Sequence, residues 1–177
     1  GSLVDCLLTC PIEFPDIFVV QPATYKGPAT TRKGAEIIDK PWNANANVCK
    51  AWIAEQGDKA IISQETLDEA HKAVKIIMTH KSAAWIIDNS ETQVFLNVKY
   101  KGLNLKCLVD FAPPSVFLAD LKTTADFSIK GFESTILKYG YHVQAGFYLM
   151  VWNQMHPNDK RERFQIVWQN SAAPYEV

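Results

Sequence analysis

No CxxC pair occurs among the four cysteines, Cys6, Cys10, Cys49 and Cys107, and their spacing fits no zinc site. Four in 177 residues are too sparse for a disulfide framework, so they read as reduced, mostly buried thiols of a cytoplasmic protein. No apolar run approaches the roughly 18 residues of a membrane span. IFVV at 17–20 and VFLADL at 116–121 are short and interrupted. With no basic, apolar leader at the start, the expectation is a soluble protein with no membrane contact. Neither sign of charge dominates, since 18 Lys plus Arg stand against 19 Asp plus Glu. A nucleic-acid partner would therefore meet a local groove, not a globally basic face. Repeats and low-complexity tracts are also missing, which removes solenoid architectures. A chain of this length that is 47% hydrophobic can bury one sizeable core, and a single domain over 1–177 is expected.

Leu3, Val4, Leu7 and Leu8 recur at helical spacing and stop at Pro11. Residues 21–41 are rich in Gly, Pro and Thr and predict a long loop. Helices are predicted over 43–56 and 64–80, the second capped by Ser63 with Leu67, Ala70, Val74, Ile77 and Met78 on one face. Alternation at Val94, Leu96, Val98 and Tyr100, then at Leu103, Leu105, Cys107, Val109 and Phe111, predicts an antiparallel hairpin turning at Lys101 and Gly102. The run from Val116 to Leu121 suits a central strand buried on both faces. A helix over 140–154 and a strand over 164–168 follow. The fold class is α/β, a mixed central β-sheet flanked by helices.

Side chains alternate across a strand, so Asp120 and Lys122 share a face. Asp110 points away from Val109 and Phe111, with Lys106 and Leu108. If the two strands pair, both carboxylates can share a hard cation such as Mg²⁺, with the Leu121 carbonyl as a further oxygen ligand. Lys122 would then orient a nucleophile or balance developing charge, which is phosphodiester hydrolysis. Two acids and a lysine at this spacing also occur on solvated sheet edges. Their position at the end of an apolar strand favours the metal reading, because an unsatisfied charge there is costly.

VDFAPPSVFLADLKTTADF, followed by KYGYHVQAGFYLMVW, resembles the PD-(D/E)XK nuclease superfamily. Within it, the chain is similar to the RecE-like phage and prophage exonucleases of the exonuclease eight type. GSLVDCLL, Glu91 ahead of the hairpin, the YxxQxxxY helix and the closing QNSAAPYEV belong to the same likeness. The resemblance implies a restriction-endonuclease-like core, of which this chain is a core fragment. Asp110 and Asp120 are implied as metal ligands, Lys122 as the catalytic lysine, and Gln144 as a DNA contact, with Tyr141 on the same helix and Thr123 in the DxKTT core beside it. Where the family segment G-[ST]-x-x-H carries histidine, this chain has Asp5, an oxygen donor that changes the charge of the metal site.

Lys130 and Lys138, between the DxK strand and the Gln144 helix, are expected to track phosphates. Arg32 and Lys33 rank lower, and KRER at 160–163 reads as a solvated turn. Tyr148 and Trp152 read as core, and His142 as structural. The implied function is Mg²⁺-dependent (Mn²⁺ as substitute) 5′ to 3′ digestion of double-stranded DNA ends in recombination. A homo-oligomer and a single-strand annealing protein are the implied partners. The alternatives are a PD-(D/E)XK endonuclease and a catalytically inert DNA-binding module. An iron–sulfur type would need a C-terminal cysteine cluster, and no cysteine follows Cys107.

Overall fold

The computed structural model describes residues 2–177. In chain order the elements are α1 (Ser2–Thr9), a 3₁₀ turn (Pro11–Glu13), α2 (Phe14–Ile17), β1 (Phe18–Val20), β2 (Thr24–Pro28), β3 (Ile37–Pro41), α3 (Asn47–Glu55), β4 (Ala60–Ile62), α4 (Gln64–Thr79), α5 (Lys81–Asn89), β5 (Glu91–Tyr100), β6 (Leu103–Ala112), β7 (Phe117–Thr124), α6 (Ile129–Tyr139), α7 (Tyr141–Met155) and β8 (Arg163–Asn170). They fall into two compact units, residues 12–70 and residues 1–11 with 71–177. Among the described residues no helix is long and apolar enough to cross a membrane.

In the smaller unit, β1 pairs in parallel with β4, and β2 pairs antiparallel with β3. Trp42 meets Trp52 edge to face at 5.2 Å. The predicted loop over 21–41 is thereby corrected, since it holds a two-stranded ribbon. Gly27, Pro28 and Pro41 gave the turn-rich composition, but prolines are tolerated where a strand lacks a further neighbour.

The larger unit carries a four-stranded sheet in the order β5-β6-β7-β8, antiparallel until the last pair, which is parallel. The α/β class with a mixed sheet is therefore correct. Lys101 and Gly102 turn the β5-β6 hairpin with φ of 47° and 82°, the left-handed pair that a tight hairpin requires. β7 and β8 run the same way, so a long crossover must join them. Two helices supply it where the sequence predicts one. Ser128 caps α6 by accepting from the Gly131 amide at 3.0 Å. Gly140, at φ 68°, ends α6 and opens α7.

Leu96, Cys107, Val109, Leu118, Val151 and Trp152 form one buried cluster, on the α7 side of the sheet. Ile86 of α5, Phe111 and Ala119 form the other. β7 thus buries Leu118 on one face and Ala119 on the other, as its continuous apolar run predicts. β6 departs from strict alternation, because Val109 and Phe111 pack in opposite clusters. The departure falls at Asp110. Opposite it, Gln93 has φ 51°, and the β5-β6 ladder steps from Thr92↔Phe111 to Val94↔Val109 without pairing Gln93. Left-handed backbone at a non-glycine residue is strain of the kind found at functional sites. α7 is enclosed only in part, since Val143 is 64% exposed while Val151 and Trp152 are buried.

Candidate active site

The single β6-β7 bridge, Phe111↔Ala119, decides the site. One residue from it on either strand stand Asp110 and Asp120. Their carboxyls come close enough to share a hydrogen bond, and the Asp120 charge opposes the ionisation of Asp110. Asp120 is 2% exposed. Its Oδ1 accepts from Gln144 Nε2 of α7 at 3.1 Å. Its Oδ2 has no hydrogen bond of good geometry but lies 2.5 Å from Lys122 Nζ. Two residues apart on one strand, Asp120 and Lys122 share a face as alternation requires.

Asp5 reaches the same place from α1, which is pinned to β5. Thr92 Oγ1 donates to the Thr9 carbonyl at 3.0 Å, and Gln93 Nε2 donates to Thr9 Oγ1 at 3.2 Å. Thr9 Oγ1 in turn donates to the Asp5 carbonyl at 2.9 Å. Asp5 Oδ1 is buried with no hydrogen-bond partner. A pocket of about 470 Å³ is lined by Asp5, Asp110, Asp120, Leu121, Lys122, Thr123, Tyr141 and Gln144, with Gln93, Leu108 and Tyr148 completing it. Eight of the sequence-derived residues therefore meet in one cavity. Lys130 and Lys138 do not; both are exposed on α6.

Sequence reasoning missed three of the lining residues. Tyr148 was assigned to the core, and it does pack against the α7-side cluster, but it also hydrogen-bonds the Gln144 side chain. The YxxQxxxY spacing, which puts Gln144 and Tyr148 one turn apart, carried that signal. Leu108 and Gln93 had none, because their roles depend on which strands pair.

Burial, followed by repulsion from Asp120 and Asp5, raises the Asp110 carboxyl to about 8. Burial and the Asp120 charge raise Asp5 as well. Burial pulls the Lys122 ammonium down, but the bond to Asp120 and the charges of Asp120 and Asp110 outweigh it, and the net direction is up. Its Nζ sits 4.7 Å from the Tyr141 ring centre, a favourable place for a cation.

With all three carboxyls ionised, the site would carry more negative charge than the one ammonium balances and would repel a phosphodiester. Among the described residues no three His, Cys, Asp or Glu side chains stand close enough together to hold an ion as placed. The donors nonetheless suit a hard divalent cation in kind. They are oxygens, one of them buried and unpartnered, and their repulsion is what a cation relieves.

A prediction follows from Asp110. Its folded carboxyl titrates higher than the unfolded one, so the protonated form favours folding. The Asp110 contribution to stability is full below about pH 4 and is lost as pH rises towards about 8. Because a ligand must be deprotonated, Mg²⁺ should raise the melting temperature more at pH 8 than at pH 5. Asp110→Asn should flatten both dependences. An equal Mg²⁺ shift at the two pH values in the unsubstituted protein would contradict this assignment.

Comparison with known proteins agrees with the fold. A search of curated protein sequences finds no match. Among solved structures, a chain named "Putative exonuclease", from Eubacterium rectale, superposes with a TM-score of 0.52 at 18% sequence identity. The match covers 65% of this chain and 44% of that one, so this chain spans less than half the length of its structural neighbour. Residues 1–174, both compact units included, match the model of a family described as a PDDEXK-like domain of unknown function (DUF3799). The mixed sheet flanked by helices agrees with that description, and the chain, matched over nearly its whole length, belongs to this PDDEXK-like family.

Proposed function

We propose that this chain is a divalent-metal-dependent deoxyribonuclease that hydrolyses phosphodiester bonds, acting from the ends of linear double-stranded DNA. One observation carries the reading. Asp5, Asp110, Asp120, Lys122 and Gln144 line a single pocket, with Asp120 almost fully enclosed yet bonded to both Gln144 and Lys122. The match over both units supports treating them as one nuclease domain. RecE-like specialisation, 5′ to 3′ polarity and a role in recombination rest on the motif resemblance.

The three carboxylates, with Leu121 beside them, would hold Mg²⁺ or Mn²⁺. Bound there, such an ion makes water more acidic and neutralises charge on the phosphate. The chain's own residues do the rest. Gln144 fixes the rotamer of Asp120 by donating to Oδ1. Lys122, held as an ammonium by its acidic neighbours, cannot accept a proton; it donates to phosphate oxygens as negative charge builds in the transition state. Thr123, next on β7, lines the pocket wall, where the adjoining phosphate would lie.

A chain of balanced charge has little long-range pull on a polyanion, so continued action on DNA needs either a local basic path or enclosure by an oligomer. Enclosure requires an end. Linear duplex labelled at its 5′ or 3′ terminus should be degraded in Mg²⁺, 5′ terminus first, while a covalently closed circle of the same sequence is spared. Nicking of the circle at a comparable rate would favour an endonuclease.

A further inference from the structure

Gly140 does more than separate two helices. Its left-handed backbone lets the residues on either side, Tyr139 and Tyr141, stack with ring centres 5.8 Å apart and planes 22° from parallel. The two rings have different surroundings. Tyr141 lines the pocket, lies under the Lys122 ammonium, and is backed by Trp168 at 6.2 Å, which itself stacks on Phe132 at 4.9 Å. Tyr139 is outermost. It is 60% exposed, with Lys138 Nζ 5.1 Å from its ring centre. The series is held from behind and ends in a solvent-exposed ring, with a lysine ammonium over it, beside the pocket that holds Asp120 and Lys122.

An exposed aromatic face braced by a second ring and flanked by cations matches one feature of a nucleic-acid strand, a nucleobase with its phosphate. Inside a duplex both faces of a base are covered by its neighbours, so such a face can be met only at the terminal pair or where the strand is unpaired. The pocket, at about 470 Å³, also takes single-strand material and not two paired strands. We propose that Tyr139 stacks on an unpaired nucleobase next to the phosphate held at Asp120 and Lys122. The substrate class is thereby a DNA end whose terminal nucleotides are single-stranded, by overhang or by fraying. Tyr139 is then a specificity-determining residue. This inference rests on the nuclease reading above.

The test uses a short single strand carrying 2-aminopurine beside a hydrolysis-resistant phosphorothioate linkage, titrated with the full chain in Mg²⁺. Stacking on Tyr139 quenches the fluorescent base. Tyr139→Phe should bind and quench as the unsubstituted protein does. Tyr139→Ala should bind about tenfold more weakly and lose the quenching, since removing one stacking ring has an effect of that order. On unmodified overhanging ends Tyr139→Ala should raise KM with kcat little changed, and on blunt ends the difference should shrink. Equal binding and quenching by Tyr139→Ala, or a bound strand left unquenched by the unsubstituted protein, would overturn the inference. Quenched binding without hydrolysis of an unmodified strand would overturn the nuclease reading and leave the stacking standing. Absence of binding would overturn both.

Discussion

Asp120→Asn should lower turnover by about three orders of magnitude or more and should weaken Mg²⁺ binding as well. The substitution keeps the shape of the side chain but removes the charge that both the metal and Lys122 need. Lys122→Ala should act differently. The lysine ammonium lies 2.5 Å from Asp120 Oδ2, where it competes with any cation for that oxygen. Removing it leaves a nearly enclosed carboxylate short of positive charge, which Mg²⁺ can restore. Metal binding should therefore be retained or tightened, while turnover falls by about two to three orders of magnitude because the phosphate loses its donor in the transition state. Calorimetric Mg²⁺ titration and turnover measured on the same preparations separate the two variants. Loss of metal binding to the same degree in both would contradict the roles assigned here.

The second large effect concerns stability and lies away from the chemistry. Arg161 is 6% exposed, which corrects the expectation that KRER is wholly a solvated turn. Its Nη1 donates to the Pro113 carbonyl at 2.6 Å and also to that of Ser115. Nη2 donates to Asp159 Oδ2 at 2.9 Å. The guanidinium sits 4.8 Å from the Trp152 ring centre, and the Arg161 backbone is clasped by Asn153 of α7 through two further bonds. One side chain thus joins the β6-β7 turn, the end of α7 and the approach to β8. The β6-β7 turn is what brings Asp110 and Asp120 together. Arg161→Ala should cost about 3–5 kcal/mol, because it removes a charged donor from the Pro113 and Ser115 carbonyls together with the packing against Trp152. That is a large part of the roughly 5–15 kcal/mol that holds a domain folded. Arg161→Lys should recover little, since a lysine cannot span both carbonyls and the aromatic face. Asp159→Ala should cost under about 1 kcal/mol, because Asp159 faces solvent and a surface ion pair is weak. Urea unfolding of the three variants checks the ranking. A loss below 1 kcal/mol for Arg161→Ala would show that the clasp is incidental.

Sheet, hairpin and catalytic strand were readable because each rests on local chemistry. Alternation marks β5 and β6, Lys101 and Gly102 mark their turn, and an apolar run closed by Asp120 and Lys122 marks β7. The acidic pair was readable one step further, because two strands joined by a short turn through Pro113 and Pro114 pair as neighbours. Features that depend on distant chain were not. Gln93 acquires its conformation and its bond to Thr9 only once α1 lies against β5. Arg161 is buried by carbonyls 46 and 48 residues away, so its sequence neighbours Lys160 and Glu162 suggested a solvated turn. The β2-β3 ribbon was hidden by its prolines. α6 was not read from the sequence, although Ser128 and Gly140 were visible as its start and stop signals. Lys130 and Lys138 lie between β7 and α7 in sequence, but α6 carries both on its exposed surface, outside the pocket.

The central claim is that these carboxylates and Lys122 form a metal-dependent hydrolytic site. It is tested most directly by incubating end-labelled linear duplex with the protein in Mg²⁺ and, in parallel, in excess EDTA. The account predicts release of short products in Mg²⁺, none in chelator, and full recovery when Mg²⁺ is restored. Undiminished cleavage in excess chelator, or an intact duplex in both Mg²⁺ and Mn²⁺, would contradict it.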